Sequence, residues 1–205
     1  MTPATDAAVY HLFGGLLLEC ASDAALRDIR DKGLLEALAE VVSDADLREA
    51  LLRMRAALAS DAAIVQLRAD HARLFLGAGR DGVAPWESVH RSEERLVWQG
   101  PAIAVLHAYA RAGLGYEEMT AVPPDHVGRE LLFLATLAVE AAATDDPARA
   151  ASLRDARRAF LDEHVLAWVP AFLGAVREKA STEFYRALAD GLLRLLDTDR
   201  ECAAA

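Results

Sequence analysis

An all-α fold is predicted by three features of the sequence. Apolar residues return at three- and four-residue spacing almost throughout, about a fifth of the chain is alanine, and no stretch alternates apolar and polar residues. The first helix, about Asp6 to Ala21, presents Val9, Leu12, Phe13, Leu16 and Leu17 to a core. Ser22 or Asp23 caps a second helix, which carries Leu26, Ile29, Leu34, Leu35 and Leu38 and breaks at Gly33. Ser43 or Asp44 caps a third with Leu47, Leu51, Met54 and Leu58; Ser60 or Asp61 caps a fourth with Ile64, Leu67, His71, Leu74 and Phe75. Helical periodicity stops in Gly77-Ala-Gly-Arg-Asp-Gly-Val-Ala-Pro85, and Ser92-Glu-Glu94 reads as a new helix start. Pro101 opens a helix with Ile103, Val105, Leu106 and Tyr109 that ends near Gly113 and Gly115. Pro123-Pro124 opens another, Asp125 to Ala143, and Asp145-Asp-Pro147 is a stop and restart. Helices then follow over 148–165, 168–180 and 181–197. Neither an internal repeat nor a Ser-, Pro- or Gly-rich linker divides the chain, so one all-helical domain over residues 1–205 is expected, with a loop or hinge at about 77–91.

Alanine buries little area, so the core must come from Leu, Val, Phe and Trp, of which there is enough. The formal net charge of −10 argues against a nucleic-acid partner, which needs a basic footprint. It suits a positively charged partner, and equally a protein kept soluble by its acidity. The only lysines are Lys32 and Lys179. Cys20 and Cys202 make neither a disulfide framework nor a metal spacing; Cys20 reads as a small core residue in a reducing compartment. No segment reads as long and apolar enough to span a membrane. Val9 to Leu18 lacks a preceding Lys or Arg, so it reads as a core helix rather than a signal peptide.

Three polar groups stand out. In Ala84-Pro-Trp-Glu-Ser-Val-His-Arg91, after the glycine loop, Trp86 can serve as an aromatic platform and Glu87 can accept an arginine fork. Equally, Trp86 can plug the core while Glu87 or Ser88 caps a helix. In Pro123-Pro-Asp-His126, with Pro124 at the first helical position, Asp125 and His126 fall in the first turn, where the helix dipole favours a carboxylate and disfavours imidazolium. His126 then faces Glu130, and Asp125 faces Arg129. Asp70 and His71 form a third patch, which pattern alone assigns to a solvated helix face. The glycine loop lacks the Gly-Lys-Ser/Thr of a phosphate-binding loop, and no Gly-x-Ser-x-Gly or His-Glu-x-x-His is present.

Together these segments resemble a known family. Leu67 to Gly77, Pro85-Trp-Glu-Ser-Val89, Tyr109-Ala-Arg-Ala-Gly113, Pro123-Pro-Asp-His126 with Glu130-Leu-Leu-Phe-Leu134, and Phe160-Leu-Asp-Glu-His164 with Trp168 and Pro170 occur in the order of the TorD/DmsD redox-enzyme maturation chaperones, which include the NarJ branch. The resemblance spans about Val9 to Leu196. It implies an all-helical, TorD-like bundle, monomeric or a domain-swapped homodimer, in the cytoplasm. The implied partner is the precursor of a molybdenum-cofactor oxidoreductase, bound through its twin-arginine leader or its apo catalytic subunit and held back from export until the cofactor is inserted. Asp125 and His126 would be the partner-binding pair; Trp86, Glu87 and Ser88 match the loop motif, Asp70 the acidic helix position, and Gly113 the helix end. His90 departs from the family's aromatic at its position. On this reading Asp70, Glu87 and Asp125 take the leader's guanidiniums, Trp86 takes its apolar part, and His126 bonds its backbone or orients Asp125. The implied protein has no catalytic residue, cofactor or metal, touches no nucleic acid and does not insert stably in a membrane. The rival readings are a metal-dependent helical hydrolase using His126 and Glu130, and a generic helical adaptor.

Overall fold

The computed structural model describes residues 3–18, 22–76, 82–113 and 122–204, with the side chains of 3–4 and 202–204 also left aside. Cys20, Gly77, Gly79 and Gly115 and the side chain of Cys202 therefore lie outside the described residues. The described residues are helical and contain no strand; the one β-type pairing among them is an isolated antiparallel bridge between Trp86 and His126. The helices are α1 (Pro3–Leu18), α2 (Asp23–Asp31), α3 (Leu34–Val41), α4 (Ala45–Ala57), α5 (Asp61–His71), α6 (Glu87–Arg91), α7 (Gly100–Arg111), α8 (Val127–Ala143), α9 (Pro147–Phe160), α10 (Leu166–Lys179) and α11 (Glu183–Ala204). Their contacts define two compact units, one of Glu19–Val83 with Pro170–Ala205, the other of Thr2–Leu18 with Ala84–Val169.

In the first unit α4 packs on α3 and α11, and α2 on α3 and α5. Caps start these helices. Ser22 accepts from the Ala25 N–H, Asp44 from Leu47 and Ser60 from Ala63, each satisfying an N–H that has no partner within its helix. Gly33, at φ 63°, separates α2 from α3 in a conformation that a side chain would strain. The core is built on Leu47, Leu51, Met54, Leu188 and Leu192, all fully buried. Beside it, Phe75 meets Tyr185 at 5.6 Å and Phe172 at 6.0 Å between ring centroids.

In the second unit α8 packs on α1 and α9. The α1–α8 crossing is made by two glycines. A Cβ on Gly128 would lie 2.6 Å from the Gly14 carbonyl oxygen, and one on Gly14 would lie 2.9 Å from that of Gly128. Only hydrogen fits on either side, so this spot fixes how closely the two backbones approach.

Two features depart from the sequence reading. Ser92 does not start a helix: α6 stops at Arg91, and Arg95 and Trp98 take left-handed backbone angles that exclude one. Residues 147–179 form one continuous helical run, α9 and α10 joined by a π turn at Leu161–Val165, where two helices were expected. That run holds an apolar window of mean hydropathy 1.3, long enough by length and composition to cross a membrane, which corrects the expectation that no segment qualifies. Half of the window is buried within the protein, and a soluble core helix passes the same test.

Gly128→Ala is expected to destabilise the protein by about 1 to 3 kcal/mol through overpacking. Gly15→Ala, whose new methyl meets nothing within 4 Å, is expected to be neutral or stabilising by up to about 1 kcal/mol. Urea unfolding of the two variants checks the contrast.

Candidate functional site

The turn that carries Trp86 is joined to the start of α8 by backbone hydrogen bonds. The Glu87 N–H donates to the Asp125 carbonyl at 2.9 Å, and the Val127 N–H donates to the Pro85 carbonyl at 2.8 Å. The Asp125 carboxylate adds to this. Its Oδ2 accepts from the Ser88 N–H at 2.7 Å and from the Ser88 hydroxyl. Asp125 thus caps α6 from another segment of the chain. The sequence reading put Asp125 and His126 inside the first turn of α8; instead His126 is the N-cap, and its Nδ1 accepts from the Gly128 N–H at 3.1 Å. Nδ1 carries no proton in that bond. The imidazole also sits edge-on to Trp86, 5.7 Å between ring centroids.

Beneath this turn lies a group of buried ionisable side chains. Glu87 is fully enclosed and is paired with Arg91, whose guanidinium also donates to the Glu163 carbonyl at 2.9 Å. The other Glu87 oxygen meets His164 Nδ1 at 2.9 Å. Glu130, equally enclosed, accepts from the Trp168 indole N–H at 3.0 Å. Burial, and then the nearby charges of Glu87 and Asp125, push the Glu130 carboxyl well above its ordinary 4.5, against the opposing effect of the Trp168 bond. Tyr109 closes the frame, its hydroxyl donating to the Pro124 carbonyl at 2.9 Å. His90, expected as a departure from an aromatic, lays its ring on Trp168 at 4.9 Å and reaches the Ala84 carbonyl at 2.7 Å.

Of the six residues singled out by sequence, Trp86, Glu87, Ser88, Asp125 and His126 come together here. Asp70 belongs to the other unit, where its buried carboxylate accepts from the Ser181 and Thr182 N–H groups, the Thr182 hydroxyl and Arg73. Burial alone would raise its carboxyl, but Thr182, Arg73 and Ser181 outweigh that and hold it below 3.8. Pattern assigned Asp70 and His71 to a solvated face; both are buried. Glu87 and Asp125 are likewise enclosed, and only Trp86 of the six is not buried. Three buried polar atoms of the frame have no partner among the described residues, the indole N–H of Trp86, Oδ1 of Asp125 and Oε1 of Glu130. Glu130, His164 and Trp168 complete the frame although sequence reasoning did not put them in the site. The signal was there in the four-residue spacings His126–Glu130 and His164–Trp168. Among the described residues no group of three or more His, Cys, Asp or Glu is arranged to hold a metal.

Residues 40–174 match the family described as nitrate reductase delta subunit. The chain belongs to this NarJ/TorD family. Among its relatives, the chaperone protein TorD of Vibrio cholerae serotype O1 is 31% identical over 138 residues, 67% of this chain and 62% of that protein. The chaperone protein TorD of Photobacterium profundum is 27% identical over 135 residues, 66% of this chain and 62% of that protein. The Aliivibrio fischeri TorD is 26% identical over 166 residues, 80% and 77% of the two chains. The matched region thus spans less than two thirds of the first two relatives. The family match includes α6, α8 and the π turn that carries His164, so the whole buried frame lies inside it.

Two outcomes follow from the buried carboxyls. A raised folded pKa means that Glu130 contributes its full stability below 4.5 and loses it as pH rises towards the folded value. Glu130→Gln, which keeps the Trp168 acceptor, is expected to flatten that decline in urea midpoints measured from acid to alkaline pH. Asp70 has the opposite sign, its contribution being present above 3.8 and lost as pH falls through the lowered folded value. Asp70→Asn is expected to cost about 1 to 3 kcal/mol at pH 7, with the gap from wild type closing in acid.

Proposed function

We propose that this chain is a cytoplasmic chaperone, without catalytic activity of its own, that binds an apo molybdoenzyme subunit through its twin-arginine leader and supports cofactor insertion before export. Family membership and the TorD relatives support the class of function. The observation that carries the site is the placement of Trp86, the one residue of the six that is not buried, held edge-on to His126 by the backbone bonds between its turn and the start of α8. Trp86 presents the apolar ring and His126 lies against it. Within the proposed set Glu87, Ser88 and Asp70 act as positioning residues: the first two hold the Trp86 turn, and Asp70 holds the start of α11. The reading of the chain as one chaperone domain belongs to the same proposal.

Capture from the native host, with tagged wild type, Trp86→Ala and Asp125→Ala/His126→Ala as baits, tests this. A molybdoenzyme precursor is expected with wild type and strongly reduced with either variant. Trp86→Ala is the variant whose loss cannot be put down to a broken frame, provided its thermal unfolding matches wild type. Equal recovery by all three baits would move the site elsewhere, and recovery of no such precursor would remove the functional reading.

A further inference from the structure

The second unit holds a cavity of about 220 Å³ between α7, α8, α9 and the π turn at Leu161–Val165. Phe133, Phe160 and His164, all buried, form its floor, and alanines of α7 and α9 line its sides. Arg111, Ser152 and Glu163, all exposed, stand at its mouth. The volume falls below the roughly 300 to 1,000 Å³ of sites for drug-sized ligands, which restricts an occupant to a small metabolite.

His164 is the polar group inside. Its Nδ1 lies 2.9 Å from the enclosed Glu87 carboxylate, which is paired with Arg91. An ionised carboxylate only accepts, so Nδ1 donates. In the neutral ring Nε2 is then an acceptor, and among the described residues it is bonded to nothing. The mouth adds one charge of each sign. Arg111, in the last turn of α7, and Glu163, in the π turn, form no ion pair with each other or with any other described residue. The remaining charged groups nearby are engaged or stand outside. Arg91 is paired with Glu87, and Arg149 with Glu140. Arg154, Asp155, Arg158, Asp162 and the neighbouring His107 are exposed but do not line the cavity.

A simple anion would satisfy Arg111 and leave Glu163 unmatched, and a simple cation would do the reverse. A zwitterion matches both. Its carboxylate suits the guanidinium fork, its ammonium donates to Glu163 and to His164 Nε2, and an apolar side chain rests on the phenylalanine floor. A peptide terminus carries only one of the two charges and is the poorer match. We propose that this cavity binds a free α-amino acid with an apolar side chain. The site shares no residue with the Trp86 turn and does not depend on the chaperone reading, so either can fail without the other.

Isothermal titration of the full chain, dialysed free of small molecules, with L-phenylalanine and with L-leucine tests this. Saturable binding of at least one of them is expected, and none for either would overturn the proposal. For the tighter binder, the N-acetyl derivative lacks the ammonium and the decarboxylated amine lacks the carboxylate. Each is expected to bind roughly tenfold more weakly or worse, the size of one charge-assisted hydrogen bond; equal affinity for either would overturn the zwitterion assignment. Arg111→Gln and Glu163→Gln change side chains that hold nothing else among the described residues, and each is expected to weaken binding by about the same factor. Ala156→Leu, which fills the cavity from α9, is expected to abolish binding. Affinity unchanged in all three variants would put the ligand elsewhere and overturn the site.

Discussion

A carboxylate removed from water needs donors, and Asp125 obtains them from the first turn of a helix that begins nearly forty residues earlier in the chain. By accepting from both the N–H and the hydroxyl of Ser88, it binds the Trp86 turn to the start of α8. The two backbone bonds between these segments then close a short antiparallel contact in a protein with no other strand pairing among its described residues. A five-residue helix such as α6 has little stability of its own. Its orientation, and with it that of Trp86, is borrowed from the much longer α8.

The layer below has a single centre in Glu87. That carboxylate meets Arg91 and His164, so α6 and the π turn at Leu161–Val165 are tied to one charged atom group. A network of this kind is stable only when its members are satisfied, because an unpaired charge in a low-dielectric interior is far more costly than one at the surface. Burial and the nearby Glu87 charge push the Glu130 carboxyl well above its ordinary 4.5, the electrostatic consequence of enclosing two carboxyls together. Close packing does the rest. The glycine contact between α1 and α8 sets their separation, and the Phe133 ring packs between Tyr109 at 4.5 Å and Phe160 at 4.7 Å, with His164 stacked on Phe160 at 4.7 Å.

What could be read from sequence was whatever is local. Ser22, Asp44 and Ser60 announce their helices because a cap acts within three residues, and Gly33 and the Asp146–Pro147 restart are equally local. The site motif was legible as a set of residues, and five of the six meet. Their orientation was not. Asp70, Glu87 and Asp125 read as acidic receptors for a partner's arginines, yet each is turned inward and engaged by Thr182, Arg91 or Ser88. Nothing in the residues adjacent to a carboxylate says whether its donors will arrive from water, from a partner or from a bend more than a hundred residues away, as Ser181 and Thr182 do for Asp70. The same limit explains Ser92-Glu93-Glu94. It has the composition of a helix start, but Arg95 and Trp98 take left-handed angles, which short-range pattern does not record.

The inward turn of these carboxylates changes how the acidity of the chain can act. A formal charge of −10 can attract a basic partner from a distance, but Glu87, paired with Arg91, and Asp70, paired with Arg73, add little to the outside field. Long-range attraction must come from exposed acids such as Glu93 and Glu94, while the buried carboxylates act inside the fold, as acceptors that hold the Trp86 turn and the start of α11. A change in ionic strength acts on the first group and hardly on the second.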